Sequence, residues 1–120
     1  MTKIYSGFFL EDGTHCTWEF NPGKCELPQG ISEGDEVTLL RVGKYSDEDV
    51  ECLIVRLVLP GSVNGKIQKQ PSGTLLHITT RCENGVKPVE SGLRATEKGY
   101  DYDWLVNGEV LKATAGYFYA

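Results

Sequence analysis

The chain has 120 residues, of which 40% are hydrophobic and 24% charged, a balance that fits one globular domain and excludes a disordered chain. Its net charge is −5, from 17 acidic against 12 basic residues, and no Lys/Arg cluster denser than Lys66 and Lys69 occurs, which argues against a grip on long duplex nucleic acid. No apolar run approaches the roughly 20 residues of a membrane span, and MTKIYSGFFLEDG lacks the long apolar segment of a secretory signal, so a cytoplasmic protein is expected.

Strand signals dominate in chain order. KIYSGFFL, residues 3–10, is aromatic and β-branched and ends at the turn EDG. HCTWEF, residues 15–20, follows and stops at NPGK. LPQGISEGDE reads as a loop. EVTLLRVGKY and VECLIVRLVL flank SDED, the pattern of a hairpin around a solvated acidic turn. Residues 60–73, with two prolines and little periodicity, are the expected mobile loop. TLLHITTRC is a further strand, and ENGVKPVESGLRATEKG is irregular, with room for one short helical turn. YDYDWLV and EVLKATAGYFY bracket Asn107-Gly108, the strongest two-residue hairpin signal in the chain, and the closing Tyr117-Phe118-Tyr119 should alternate faces. No window carries a sustained 3.6-residue apolar stripe, so the fold expected is mainly antiparallel β with at most one or two short helices.

The four cysteines, at 16, 25, 52 and 82, form no CxxC pair. Structural zinc spacing is therefore absent, and free, buried thiols acting as small core residues are expected, with no metal and no cofactor.

The chemistry-bearing signal is a repeated string. The only two histidines, His15 and His77, are each followed two positions later by a threonine, Thr17 and Thr79. Side chains alternate on a strand, so each His and its Thr share one face, about 6.7 Å apart along the backbone. Cys16 and Trp18 then point inward, as do Leu76, Ile78 and Thr80. Ser and Thr fill only 15 of 120 positions, so both histidines meeting one at this offset by accident is uncommon.

Paired His-x-Thr strings on two strands resemble the signature of the two-histidine (LigT-like) phosphoesterase superfamily. The stretch HITTRCENGVKPVES is also similar to the second-motif region of a cytosolic and phage-borne branch linked to RNA repair. The resemblance implies an α+β, strongly β-dominated fold. Its antiparallel sheets would form a compact two-lobed arrangement spanning residues 1–120, with the two motif strands adjacent in a central cleft. It also implies a metal-independent phosphodiesterase in which His15 and His77 are acid and base and Thr17 and Thr79 meet the phosphate oxygens. The substrate would be a cyclic nucleotide or oligonucleotide signal, whose destruction serves viral anti-defence in the host cytoplasm, or an RNA 2′,3′-cyclic phosphate end. Tyr5, Phe8 and Tyr45 are the candidate base-stacking residues and Lys87 the candidate phosphate contact. Two departures stand out. Only Glu11 to Thr14 separate the first strand from the first motif, where family members commonly carry a helix, and Thr80 stands where an apolar residue is usual. A binding module that sequesters a nucleotide or a protein partner is the alternative, and a structural protein of a virion or complex is a third.

Overall fold

In the computed structural model, which describes residues 1–58, 69–102 and 109–120, the chain forms seven strands and one helix. The strands are β1 (Lys3–Leu10), β2 (His15–Phe20), β3 (Glu36–Ser46), β4 (Val50–Val58), β5 (His77–Cys82), β6 (Asp101–Tyr102) and β7 (Val110–Tyr119), with α1 (Val89–Lys98) after β5. The order β4-β5-β2-β1-β7-β3 closes on itself through β3–β4, giving a six-stranded antiparallel barrel with β6 added to β3. Closure removes the free edges that an open sheet of this length would expose. No helix among the described residues is long and apolar enough to cross a membrane.

The barrel interior is filled by alternate residues of its strands, as the period of two requires. Phe8, Cys16, Leu39, Val55, Leu57, Leu76 and Ile78 meet there with almost no exposure. Each large aliphatic or aromatic side chain so buried contributes roughly 1.5–3 kcal/mol. A second cluster, Tyr45, Val50, Cys52, Ile54, Leu75 and Ala95, lies between the barrel and α1.

Helix α1 is the largest departure from expectation. It spans 10 residues where one turn was anticipated. Its buried face is Ser91, Gly92 and Ala95, small residues that carry no hydrophobic periodicity but allow close approach to the sheet. Pro88 supplies a helical φ at its start, and Gly99, at φ 86°, ends it. The acidic turn is also more than a solvated loop. Asp47 and Asp49 each bind Arg94 of α1 at 3.1 Å, Asp47 accepts the Tyr45 hydroxyl at 2.7 Å, and Arg81 donates to the carbonyls of Glu48 and Val50 at 3.2 Å. The turn thereby fastens the helix to the β3–β4 hairpin. The Tyr45 hydrogen bond, with the amides of Asp49 and Val50 and Arg94, holds the Asp47 carboxyl well below its usual range.

The hairpin expected at Asn107-Gly108, and most of residues 60–73, lie outside the described residues. Two corrections apply at their borders. Asp101–Tyr102 and β7 both run antiparallel to β3 along the edge that β4 leaves open, so they are not hairpin partners of each other. Gln70 to Thr74 form a tight turn, with the Gln70 amide donating to the Thr74 carbonyl at 2.8 Å. Of the cysteines, 16, 25 and 52 are buried, whereas Cys82, at the end of β5, is exposed.

Candidate functional site

β2 and β5 are neighbours, antiparallel, with Cys16 facing Ile78. That register sets His15 across from Thr79 and Thr17 across from His77. The two motifs are therefore related by a local two-fold axis through the Cys16–Ile78 pair. Directly opposed side chains have Cβ atoms about 5 Å apart and diagonal ones about 7–8 Å, so the two imidazoles occupy a diagonal that can flank a small anion. Burying Cys16 and Ile78 in the barrel turns all four motif side chains to its outer surface. They line one cleft of about 1090 Å³ there. Its other walls come from the ends of β2 and β5, with Glu19, Phe20 and Arg81 among them, from the Gln70–Thr74 turn, and from Lys87 to Val89 and Leu93.

The two histidines sit in different surroundings. His77 lies beneath α1 and is only 8% exposed, reaching the cleft through what remains. A Cβ added to Gly92 would fall 2.1 Å from its Cε1, so the glycine is what lets the helix lie on the ring. Its Nδ1 is 2.8 Å from the Leu75 carbonyl. A carbonyl can only accept, so neutral His77 carries its proton on Nδ1 and presents Nε2 as a lone pair. Burial pushes its pKa down, and the Leu75 hydrogen bond offsets part of that. His15 is half-buried, with Tyr5 stacked on it at 5.0 Å and Phe9 at 5.9 Å. Burial lowers its pKa, and the nearby charge of His77 lowers it further.

The hydroxyls differ as well. Thr17 makes no hydrogen bond among the described residues and is open to the cleft. Thr79 is tied to the helix, 2.8 Å from the Ser91 hydroxyl and 3.2 Å from the Pro88 carbonyl. Ser91 in turn donates to Pro88 at 3.0 Å. Thr80 is not inward-facing. Cys52 faces Thr79 while Glu51 faces Arg81, leaving Thr80 as an extra residue on the cleft side, bonded to Glu51 at 3.0 Å.

Among the other expected contacts, Lys87 is exposed at the cleft rim with no ion pair among the described residues. Tyr5 touches the site through His15. Phe8 and Tyr45 do not reach it. Phe8 points into the barrel, fully buried, because it sits opposite Cys16, and Tyr45 is packed under α1 with its hydroxyl held by Asp47. Ser91 and Gly92, which fix Thr79 and His77, were not legible as site residues, since small residues in an irregular-looking stretch carry no motif. No group of three or more His, Cys, Asp or Glu residues that could hold a metal occurs among the described residues. The chain matches no protein-family model, no curated protein and no solved structure.

Proposed function

We propose that the protein is a two-histidine phosphodiesterase acting on a nucleotide, built on a pared-down form of that superfamily's fold with its two lobes merged into one closed sheet. The observation that carries the reading is that the two motifs lie on neighbouring antiparallel strands, centred on the Cys16–Ile78 pair, with all four side chains lining one cleft. In-line displacement at phosphorus needs a base on the entering oxygen and an acid on the leaving one, and two imidazoles supply both without a metal. In this reading His77 is the base, because the Leu75 carbonyl fixes the proton of its neutral ring on Nδ1 and leaves the Nε2 lone pair to take a proton from water or a ribose hydroxyl. As the new P–O bond forms, the bond to the leaving oxygen breaks and His15 protonates it. Thr17 and Lys87 meet the non-bridging oxygens. The cytoplasm is the proposed place of action, and a cyclic nucleotide, a cyclic oligonucleotide or an RNA 2′,3′-cyclic phosphate end the proposed substrate. The single uncommitted cation in the described cleft fits few phosphates, which favours a small signal over a strand.

A screen of cyclic nucleotides and cyclic-phosphate-ended oligonucleotides in EDTA tests this. Activity should persist in chelator, and His15→Ala or His77→Ala should each lower kcat by about 10²–10⁴-fold. Full turnover by the double variant refutes the reading. A second reading, a module that sequesters its ligand, is favoured by one observation: Thr79 is already committed to Ser91 and Pro88. Intact nucleotide recovered after heat denaturation supports it; a linear product excludes it.

A further inference from the structure

The outer surface beside the cleft carries an aromatic row that packing does not explain. Tyr5 on β1 is paired with Phe20 on β2 and with Phe118 on β7, so three aromatic residues lie in register across three adjacent strands. Phe20 owes its place to a bulge. Ser6 faces Glu19 and Gly7 faces Thr17, leaving Trp18 unpaired, and the extra residue shifts the alternation so that Phe20 shares the face of His15 and Tyr5. Phe20 is 67% exposed and Phe118 46% exposed, although aromatic surface of this size is usually covered. Between this row and the His15–Phe9 row stand Gly7 and Gly116, paired with each other. With no side chains there, Tyr5 can lean to His15. Its ring lies 5.2 Å from Phe118 at an interplanar angle of 9°, and 5.0 Å from His15 at 22°. The stacked rings thus run from Phe118 through Tyr5 to His15, which lines the cleft, and Phe20 lines it too.

We infer that Phe20 and Phe118, the latter braced by Tyr5 against His15, form a stacking subsite for the nucleobases of a ligand whose phosphate lies at the two imidazoles. The inference rests on the proposed reading for the position of the phosphate and extends it to specificity. The row is two residues along β1 from the Gly7–Thr17 row, about 7 Å, the reach of one nucleoside from its phosphate. Stacking on aromatic faces tolerates any base and needs no cationic track, which suits a protein of net charge −5. Phe118, held by its stack on Tyr5, also loses little freedom on binding.

The test uses a diadenosine dinucleotide joined by a phosphorothioate, and an analogue with one base replaced by an abasic sugar. Affinities are measured by calorimetry for the wild type, Phe20→Ala, Phe20→Leu and Phe118→Ala. Both rings are exposed, so the variants should fold, which circular dichroism verifies. The subsite predicts a loss of roughly 5- to 100-fold for the dinucleotide in the alanine variants. Phe20→Leu, apolar but without a ring face, should lose nearly as much, and the abasic analogue should respond less to the same changes. Unchanged affinity in the variants, equal losses for both ligands, no dinucleotide binding at all, or a row whose loss alters only self-association by sedimentation would overturn the inference. Hydrolysis of the all-phosphate dinucleotide is followed separately. Phenylalanine-dependent binding without cleavage leaves the subsite standing and removes the phosphodiesterase; cleavage indifferent to the rings does the reverse.

Discussion

Gly92→Ala tests the contact on which the geometry of His77 depends. In an unconstrained helix interior this substitution gains about 1 kcal/mol, because alanine loses less backbone freedom than glycine. Here the added Cβ would lie 2.1 Å from Cε1 and 2.5 Å from each ring nitrogen of His77. The ring has little room to recede. Its Nδ1 is held by the Leu75 carbonyl, and its strand is paired with β4 on one side and β2 on the other. Overpacking a site of this kind costs about 1–3 kcal/mol, which offsets or exceeds the propensity gain. The expected net result is a destabilisation of up to about 2 kcal/mol, or roughly 4 °C in Tm per kcal/mol for a domain of this size. Urea unfolding of the wild type, Gly92→Ala, His77→Ala and the double variant measures the contact directly. In the His77→Ala background the ring is gone, so Gly92→Ala should recover its gain of about 1 kcal/mol, giving a coupling of roughly 1–3 kcal/mol. A Gly92→Ala protein more stable than wild type by the full propensity amount, with no coupling, would show that the helix does not rest on the imidazole.

Three further outcomes follow from the same site. Both histidines have folded pKa values below the ordinary 6.5, so folding favours their neutral forms; the stability this contributes is present above pH 6.5 and is lost as pH falls through the depressed folded values. Wild type should therefore lose more stability than His77→Gln between pH 7.5 and pH 5, a window separate from that of Asp47, whose contribution is present above its ordinary 3.8 and lost only below it; equal losses would refute this. The acid imidazole must be charged while the base is neutral, so kcat/KM for hydrolysis should peak on the acid side of 6.5, and a maximum above pH 7.5 would contradict the assignment. Ser91→Ala removes the partner 2.8 Å from the Thr79 hydroxyl and should cost about 1 kcal/mol of stability while lowering kcat more than it raises KM. A change in KM alone would give Thr79 a binding role only.

Much of the strand order was legible because aromatic and β-branched runs are bounded here by turns with a clear mechanism. EDG, NPGK and SDED each stop a strand where one ends in the fold. What could not be read is non-local. β3 pairs with β4 along one edge and with β7 and β6 in succession along the other, and that double use, which closes the barrel, depends on a bulge at Val42 that no local pattern announces. Alternation places Phe8 and Phe9 on opposite faces without saying which is inward, so Phe8 was expected at the ligand when its pairing with Cys16 makes it core. Tyr45 departs from expectation for a related reason: only α1, invisible to hydrophobic periodicity because its contact face is serine, glycine and alanine, makes that position an interior one. The site itself was half legible. The motifs gave the four side chains, but not the helix that locks His77 and Thr79 or the ring stacked on His15.

On the proposed reading the two His-x-Thr strings must do different work, and their surroundings differ accordingly. A local two-fold axis alone would give both imidazoles the same surroundings and the same proton affinity, so neither would be set as the acid or the base. The barrel breaks the equivalence through what each strand borders. β5 lies next to α1, so its histidine is covered, hydrogen-bonded through Nδ1 and fixed in one tautomer. β2 lies next to β1, so its histidine meets Tyr5 and Phe9, with no hydrogen bond to its ring nitrogens among the described residues. β2 and β5 share only the Cys16–Ile78 bridge, whereas β1–β2 and β4–β5 each share five residue pairs. The spacing of the imidazoles is therefore set by two well-anchored strand pairs meeting at a thin seam. On the proposed reading, changes that loosen α1 should act through the base, and changes to the β1 aromatics through the acid and the ligand's bases. The two classes of variant should then move opposite limbs of the pH–rate profile.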